Sequence, residues 1–141
     1  MAAAEENTPT GPSLEDLGGE AGIRKWVELF YDKVGVHPTL IPIFPPDLTQ
    51  SRAKQWAFFV EYFGGPAHYT NTYGNAFLRF KHRKAKIGFP ERDAWMSCLL
   101  EALAETGASP ELVTAVQQKV QGLADAMVNH HPDRKDALYF N

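Results

Sequence analysis

At 141 residues the chain is the length of one domain that can bury a real core. Lys+Arg 14 against Asp+Glu 17 leaves a net charge of −3, so no long-range field draws in nucleic acid or an anionic membrane. A single cysteine, Cys98, excludes an internal disulfide and a multi-cysteine zinc or iron–sulfur site, while aromatics at 12% suffice to line an interior site.

The opening segment from Met1 to Pro12 has neither a basic start nor an apolar stretch, and nothing after it approaches the length of a membrane span. It reads as no signal peptide, and the expected location is cytoplasmic. Residues 1–16 and 131–141, rich in Pro, Ala and charge, read as tails around a domain over 17–130.

Four stretches have helical periodicity and long alternating strands are missing, so the expected class is all-α. The first helix runs from about Glu20 to Val34, with Ile23, Val27, Phe30, Tyr31 and Val34 at steps of three and four after the Gly18-Gly19 break. Four prolines between His37 and Pro46 prevent a regular helix there and pin Phe44, and Asp47 or Thr49 offers a cap for the next one. The second helix, from about Thr49 to Phe63, places Ser51, Gln55, Phe58 and Tyr62 on one face before Gly64-Gly65-Pro66 stops it.

A long loop through Tyr69 and Tyr73 is expected next, and then a short helix with Leu78 and His82 at i and i+4 on one side. Phe89-Pro90 starts a helix carrying Trp95, Leu99, Ala102 and Leu103. Ser109-Pro110-Glu111 starts the last helix, with Leu112, Val116, Val120, Leu123 and Met127, read as core support. Cys98, one turn from Trp95, reads as a small core residue.

Taken in order, Phe30-Tyr31, His37-Pro38, Ile43-Phe44-Pro45, Asp47-Leu48-Thr49, Gly64-Gly65-Pro66 with Tyr69-Thr70, Leu78-Arg79-Phe80-Lys81-His82 and Asp93-Ala94-Trp95 resemble a truncated haemoglobin of group II. These are short globins in which a two-over-two helical sandwich encloses haem b. The resemblance covers about Leu17 to Asn129. It implies that His82 is the proximal ligand to the iron, its other ring nitrogen donating to a backbone carbonyl.

On the same resemblance, Phe44 packs on the porphyrin, Ser51, Phe58 and Leu78 complete its pocket, and Lys54, Tyr69 and Arg79 bind the propionates with help from Lys81 and Arg83. Tyr31, Gln55 and Trp95 occupy the distal side, where their hydrogens would retain a diatomic ligand bearing partial negative charge. Ser51, small where many globins carry a distal histidine, leaves a short opening to solvent.

The implied function is reversible binding of oxygen and other diatomic gases, for transport or storage. An enzymatic alternative is nitric oxide dioxygenation or peroxidase-like detoxification. It needs a reductase partner, because the chain has no flavin or nicotinamide motif, and the lack of a distal histidine weighs against peroxidase chemistry. A third reading sets haem aside and treats the basic run from Arg79 to Lys86 as the contact of a helical interaction module. Neither nucleic acid nor a membrane is an expected partner, and a monomer or weak homodimer is the expected state.

Overall fold

The computed structural model describes residues 11–131, without the side chains of Arg79 and Phe80, and every regular element among them is helical. A 3-10 turn at Glu15–Leu17 ends in two left-handed glycines, Gly18 and Gly19 (φ 88° and 73°), a conformation that glycine adopts without a Cβ penalty. They lead into α1, Gly19–Val34, which buries Ile23, Trp26, Val27, Phe30, Tyr31 and Val34.

The proline-rich connection contains one short 3-10 turn, Ile41–Ile43, with Pro42 inside it, and leaves Phe44 extended. α2, Thr49–Tyr62, follows, and the Asp47 carboxylate accepts the Thr49 N–H at 2.9 Å. Arg52 fastens α2 to α1 through Glu28 and Asp32.

Between α2 and the short helix that precedes His82, the sequence leads one to expect a loop, and the structure has a helix instead: α3, His68–Tyr73. Its composition, His-Tyr-Thr-Asn-Thr-Tyr, has no apolar period, so the signal lies in tertiary partners. Glu61 of α2 accepts both the N–H and the hydroxyl of Thr70, His68 stacks on Trp56 at 5.2 Å, and His68 Nε2 lies 3.0 Å from Glu20 Oε1.

α4, Leu78–Lys81, is a single turn. α5, Phe89–Glu105, has Pro90 in its first turn, and the Glu91 carboxylate accepts the Gly88 N–H at 2.7 Å. α6, Pro110–Met127, starts as expected, with Ser109 Oγ accepting the Leu112 N–H.

α1 packs on α2 and on α5, and α5 packs on α6, which gives two helix pairs, one over the other. Trp26 joins three of these helices: it stacks on Phe59 at 4.8 Å and its indole N–H donates to the Leu99 carbonyl at 2.9 Å. Residues 11–16 belong to this body and not to a tail, because Pro12 is buried and the Leu14 N–H donates to the Phe63 carbonyl. Of the tails expected at 1–16 and 131–141, residues 1–10 and 132–141 lie outside the described residues. Among the described residues no helix is long and apolar enough to cross a membrane.

Candidate functional site

A cavity of about 370 Å³ opens between these helices. α1 contributes Tyr31 to its wall, the proline-rich connection Phe44, and α2 the set Ser51, Lys54, Gln55 and Phe58. Tyr69 comes from α3, Leu78 and His82 from α4 and its end, and Trp95 from α5. The residues singled out from sequence for the pocket therefore meet at one place, except Arg83, which is exposed and does not line the cavity, and Arg79, whose side chain is outside the described ones.

His82 Nδ1 lies 2.7 Å from the Leu78 carbonyl oxygen. A carbonyl only accepts, so the hydrogen sits on Nδ1, and a neutral ring then carries its lone pair on Nε2. That tautomer is the one suited to binding a metal. Beside it, Lys81 Nζ donates to the Tyr69 hydroxyl and to the Asn75 carbonyl, both at 3.1 Å, and stays on the cavity rim.

Besides the Ser51 hydroxyl, three polar side chains in the wall lack an internal hydrogen-bond partner among the described residues. Among the described residues nothing accepts a hydrogen bond from the Tyr31 hydroxyl, the Gln55 amide or the Trp95 indole N–H. The contrast with their neighbours is sharp: the indoles of Trp26 and Trp56 donate to the Leu99 and Glu20 carbonyls, and the Tyr62 hydroxyl donates to the Lys119 carbonyl. Leaving a buried donor unsatisfied costs about 1–3 kcal/mol; Tyr31 is buried and Gln55 and Trp95 are half-buried, so the three around one cavity suit a ligand that accepts.

Tyr31 is only 3% exposed and is held by Phe30 and Phe44, edge to face, with centroids at 4.8 and 5.9 Å. Phe30 in turn meets Trp95 at 5.8 Å. Burial pushes the Tyr31 phenol far above the usual tyrosine range, and the Arg52 guanidinium opposes that only in part. Tyr31 is therefore a hydrogen-bond donor throughout the physiological range.

Aromatic walls, an imidazole with a free Nε2 lone pair, unpaired donors, and the cations Lys54 and Lys81 at the rim together fit an iron porphyrin with two carboxylates. His82 would hold the metal, Phe44, Phe58 and Leu78 the ring, and Lys54, Tyr69 and Lys81 the carboxylates.

Several contributors escaped the sequence reading. α6 is more than core support: Leu123 and Met127 line the cavity, on the face that Val116 and Val120 begin. The 116, 120, 123, 127 spacing was a signal for that. Arg92 also reaches the wall, with its guanidinium engaged by Asp93 and Asp125. Asn129 ties down the segment after His82 through side-chain bonds to the backbone of His82, Ala85 and Ile87.

The family model for bacterial-like globins matches residues 13–129. A group 2 truncated haemoglobin of Bacillus subtilis is 38% identical over 79% of this chain and 84% of its own length. The crystal structure of the group II truncated haemoglobin from Bacillus anthracis superposes with a TM-score of 0.82 at 36% identity, covering 92% of this chain and 99% of the other. That of a truncated oxygen-avid haemoglobin from Bacillus subtilis gives 0.77 at 37% identity, covering 82% and 98%.

Proposed function

The chain belongs to the bacterial-like globins, as a truncated haemoglobin of group II, and from that premise we propose that it holds haem b through His82 and binds dioxygen reversibly, for transport or storage. Haem, when bound, supplies an iron that coordinates a diatomic gas. The chain supplies everything that sets how long the gas stays.

The observation that carries this reading is the trio of unpartnered donors, Tyr31, Gln55 and Trp95, around the cavity that His82 also lines. A hydrogen bond to a charged acceptor contributes about 1.5–3 kcal/mol. Since about 1.4 kcal/mol is a factor of ten, each donor slows release of a partly anionic ligand by one to two decades. The oxygen-avid relative from Bacillus subtilis supports tight retention here as well.

Lys54, Tyr69 and Arg79, assisted by Lys81, bind the propionates in this proposal. Lys54 and Lys81 are exposed lysines on the rim, and Tyr69 is buried with its hydroxyl already turned to Lys81. Ser51 keeps the wall low on the α2 side and gives a small gas a short route in.

Absorption spectra of the ferric, ferrous and carbonmonoxy forms test the proposal. A Soret band that shifts with carbon monoxide is expected; His82→Gly should lose it and regain it with added imidazole, which enters the gap left by the side chain. An unshifted band, or a His82→Gly spectrum identical to the parent, would overturn the assignment.

A further inference from the structure

Among the described residues of this acidic chain, a basic surface lies at the rim of the cavity. No Asp or Glu occurs between Glu61 and Glu91, while five of the fourteen basic residues fall in that interval. Lys81, Arg83, Lys84 and Lys86 are all exposed there, and so is His82 between them. Among the described residues no carboxylate pairs with Lys81, Lys84 or Lys86, although Lys33 has one such partner and Arg52 and Arg92 have two each.

The same surface has an apolar element. Phe77, one turn before Lys81, has a left-handed backbone (φ 41°), a region that a bulky residue rarely occupies, and its side chain is 65% exposed. Strain at an exposed aromatic beside a functional rim is a pointer to a contact made elsewhere. A small apolar element beside Lys84 and Lys86, which have no carboxylate partner among the described residues, is the composition of a weak, charge-steered protein interface.

We propose that Phe77 with Lys84 and Lys86 is the docking surface for an acidic one-electron donor protein that keeps the haem iron ferrous. This rests on the haem reading above. One electron leaves the donor's reduced flavin or iron–sulfur centre and reduces ferric to ferrous iron; no bond is made or broken and no proton moves. The position of the patch argues for a redox protein, because His82 and Lys81 belong to the cavity wall and to this surface at once. A long polyanion is disfavoured: beyond these residues it would run onto a chain whose remaining charge is strongly negative.

A plant-type ferredoxin of net negative charge serves as the probe, added to the haem-loaded full chain. Amide shifts should cluster at residues 77–86, and the second-order rate of ferric reduction should fall about tenfold between low and moderate salt. Lys84→Glu with Lys86→Glu should slow ferredoxin at least about tenfold. Reduction by photoreduced lumiflavin, a small neutral donor, the Soret band and oxygen release should all be unchanged in that variant.

Shifts that map elsewhere, a ferredoxin rate indifferent to the two substitutions, or tighter binding of RNA or anionic vesicles than of ferredoxin to this surface would overturn the inference. A normal haem spectrum with no docking overturns it alone, whereas a chain that takes up no haem overturns the proposed function with it.

Discussion

The side-chain amide of Asn129 donates to the Ala85 carbonyl at 2.7 Å, across 44 residues of sequence. The same nitrogen reaches the His82 carbonyl at 3.3 Å, and the amide oxygen accepts the Ile87 N–H at 2.9 Å. One residue just past α6 thus fixes both ends of the segment that begins at His82. The backbone repeats the tie, with the N–H groups of Asn129 and His130 donating to the Ile87 carbonyl.

Asn129→Ala should loosen His82 without touching it. Loss of these bonds is expected to lower stability by about 1–3 kcal/mol and to speed transfer of haemin to excess apomyoglobin by about tenfold or more. Asn129→Asp keeps the acceptor for Ile87 and loses both donations, so it should fall between. Equal transfer rates in all three proteins would show that the clamp does not restrain His82.

Tyr31→Phe should separate stability from function. The ring stays packed against Phe30 and Phe44, and the only atom lost is a hydroxyl that has no acceptor among the described residues. Urea denaturation of the haem-free chain should therefore show a neutral effect or a gain of about 1 kcal/mol. Stopped-flow oxygen release from the loaded chain should be faster by one to two decades, from about 1.5–3 kcal/mol of lost hydrogen bonding. A variant that is less stable and releases oxygen at the parent rate would remove Tyr31 from the proposed distal set.

Of the three tryptophans, Trp26 and Trp56 look no different from Trp95 as letters in the sequence; each sits in a helical stretch with polar and apolar neighbours. What separates them is whether a carbonyl from another helix meets the indole N–H, and at Trp26 that carbonyl lies 73 residues away. The helices themselves were legible, because Ile23, Val27, Phe30 and Val34 repeat at the helical period and Ser109 and Pro110 mark a start. α3 was not, since its hydrogen bonds and stacking come from Glu61, Glu20 and Trp56 on other elements. The residues around the cavity could be picked from sequence by resemblance, whereas the Asn129 clamp depends on a chain reversal that no local pattern encodes.

Alkaline pH should reveal the buried phenol. Burial, the larger cause, keeps Tyr31 protonated in the folded chain, and the Arg52 guanidinium opposes it; in the unfolded chain the phenol ionises at its ordinary value of 10.0. Below that pH neither state releases the proton, so Tyr31 adds no pH dependence. Above it the unfolded state binds fewer protons than the folded one, and stability falls by up to about 1.4 kcal/mol per pH unit. Urea midpoints taken from pH 9 to 11.5 should therefore fall more steeply in the parent than in Tyr31→Phe, and parallel curves would contradict the assignment.

Acid should loosen α3 first. Bonds from the Thr70 hydroxyl and N–H hold the Glu61 carboxyl below its ordinary value of 4.5. A depressed carboxylate contributes stability above the unfolded value and loses it as pH falls through the folded one. Amide exchange at Thr70, corrected for intrinsic rate, should accelerate below about pH 4.5 in the parent. In Glu61→Gln, which keeps an acceptor and cannot titrate, protection should be flat over the same range. Identical pH profiles would place the acid sensitivity of α3 in some other group.

Gly22 and Gly122 both lie inside long helices, α1 and α6, and alanine meets opposite surroundings at the two. Helix propensity favours alanine over glycine by about 1 kcal/mol in each case. At Gly122 a Cβ would find nothing within 4 Å, so Gly122→Ala should stabilise by about 0.5–1 kcal/mol. At Gly22 the same atom would overlap the Leu17 carbonyl oxygen, which is backbone and cannot swing aside. Relieving that overlap means moving the Glu15–Leu17 turn off α1, at an overpacking cost of about 1–3 kcal/mol or more. The steric cost outweighs the propensity, so Gly22→Ala should destabilise while Gly122→Ala stabilises, both read from denaturation midpoints at unchanged m-value. Two shifts of the same sign would mean that α1 does not approach the Leu17 carbonyl this closely in solution.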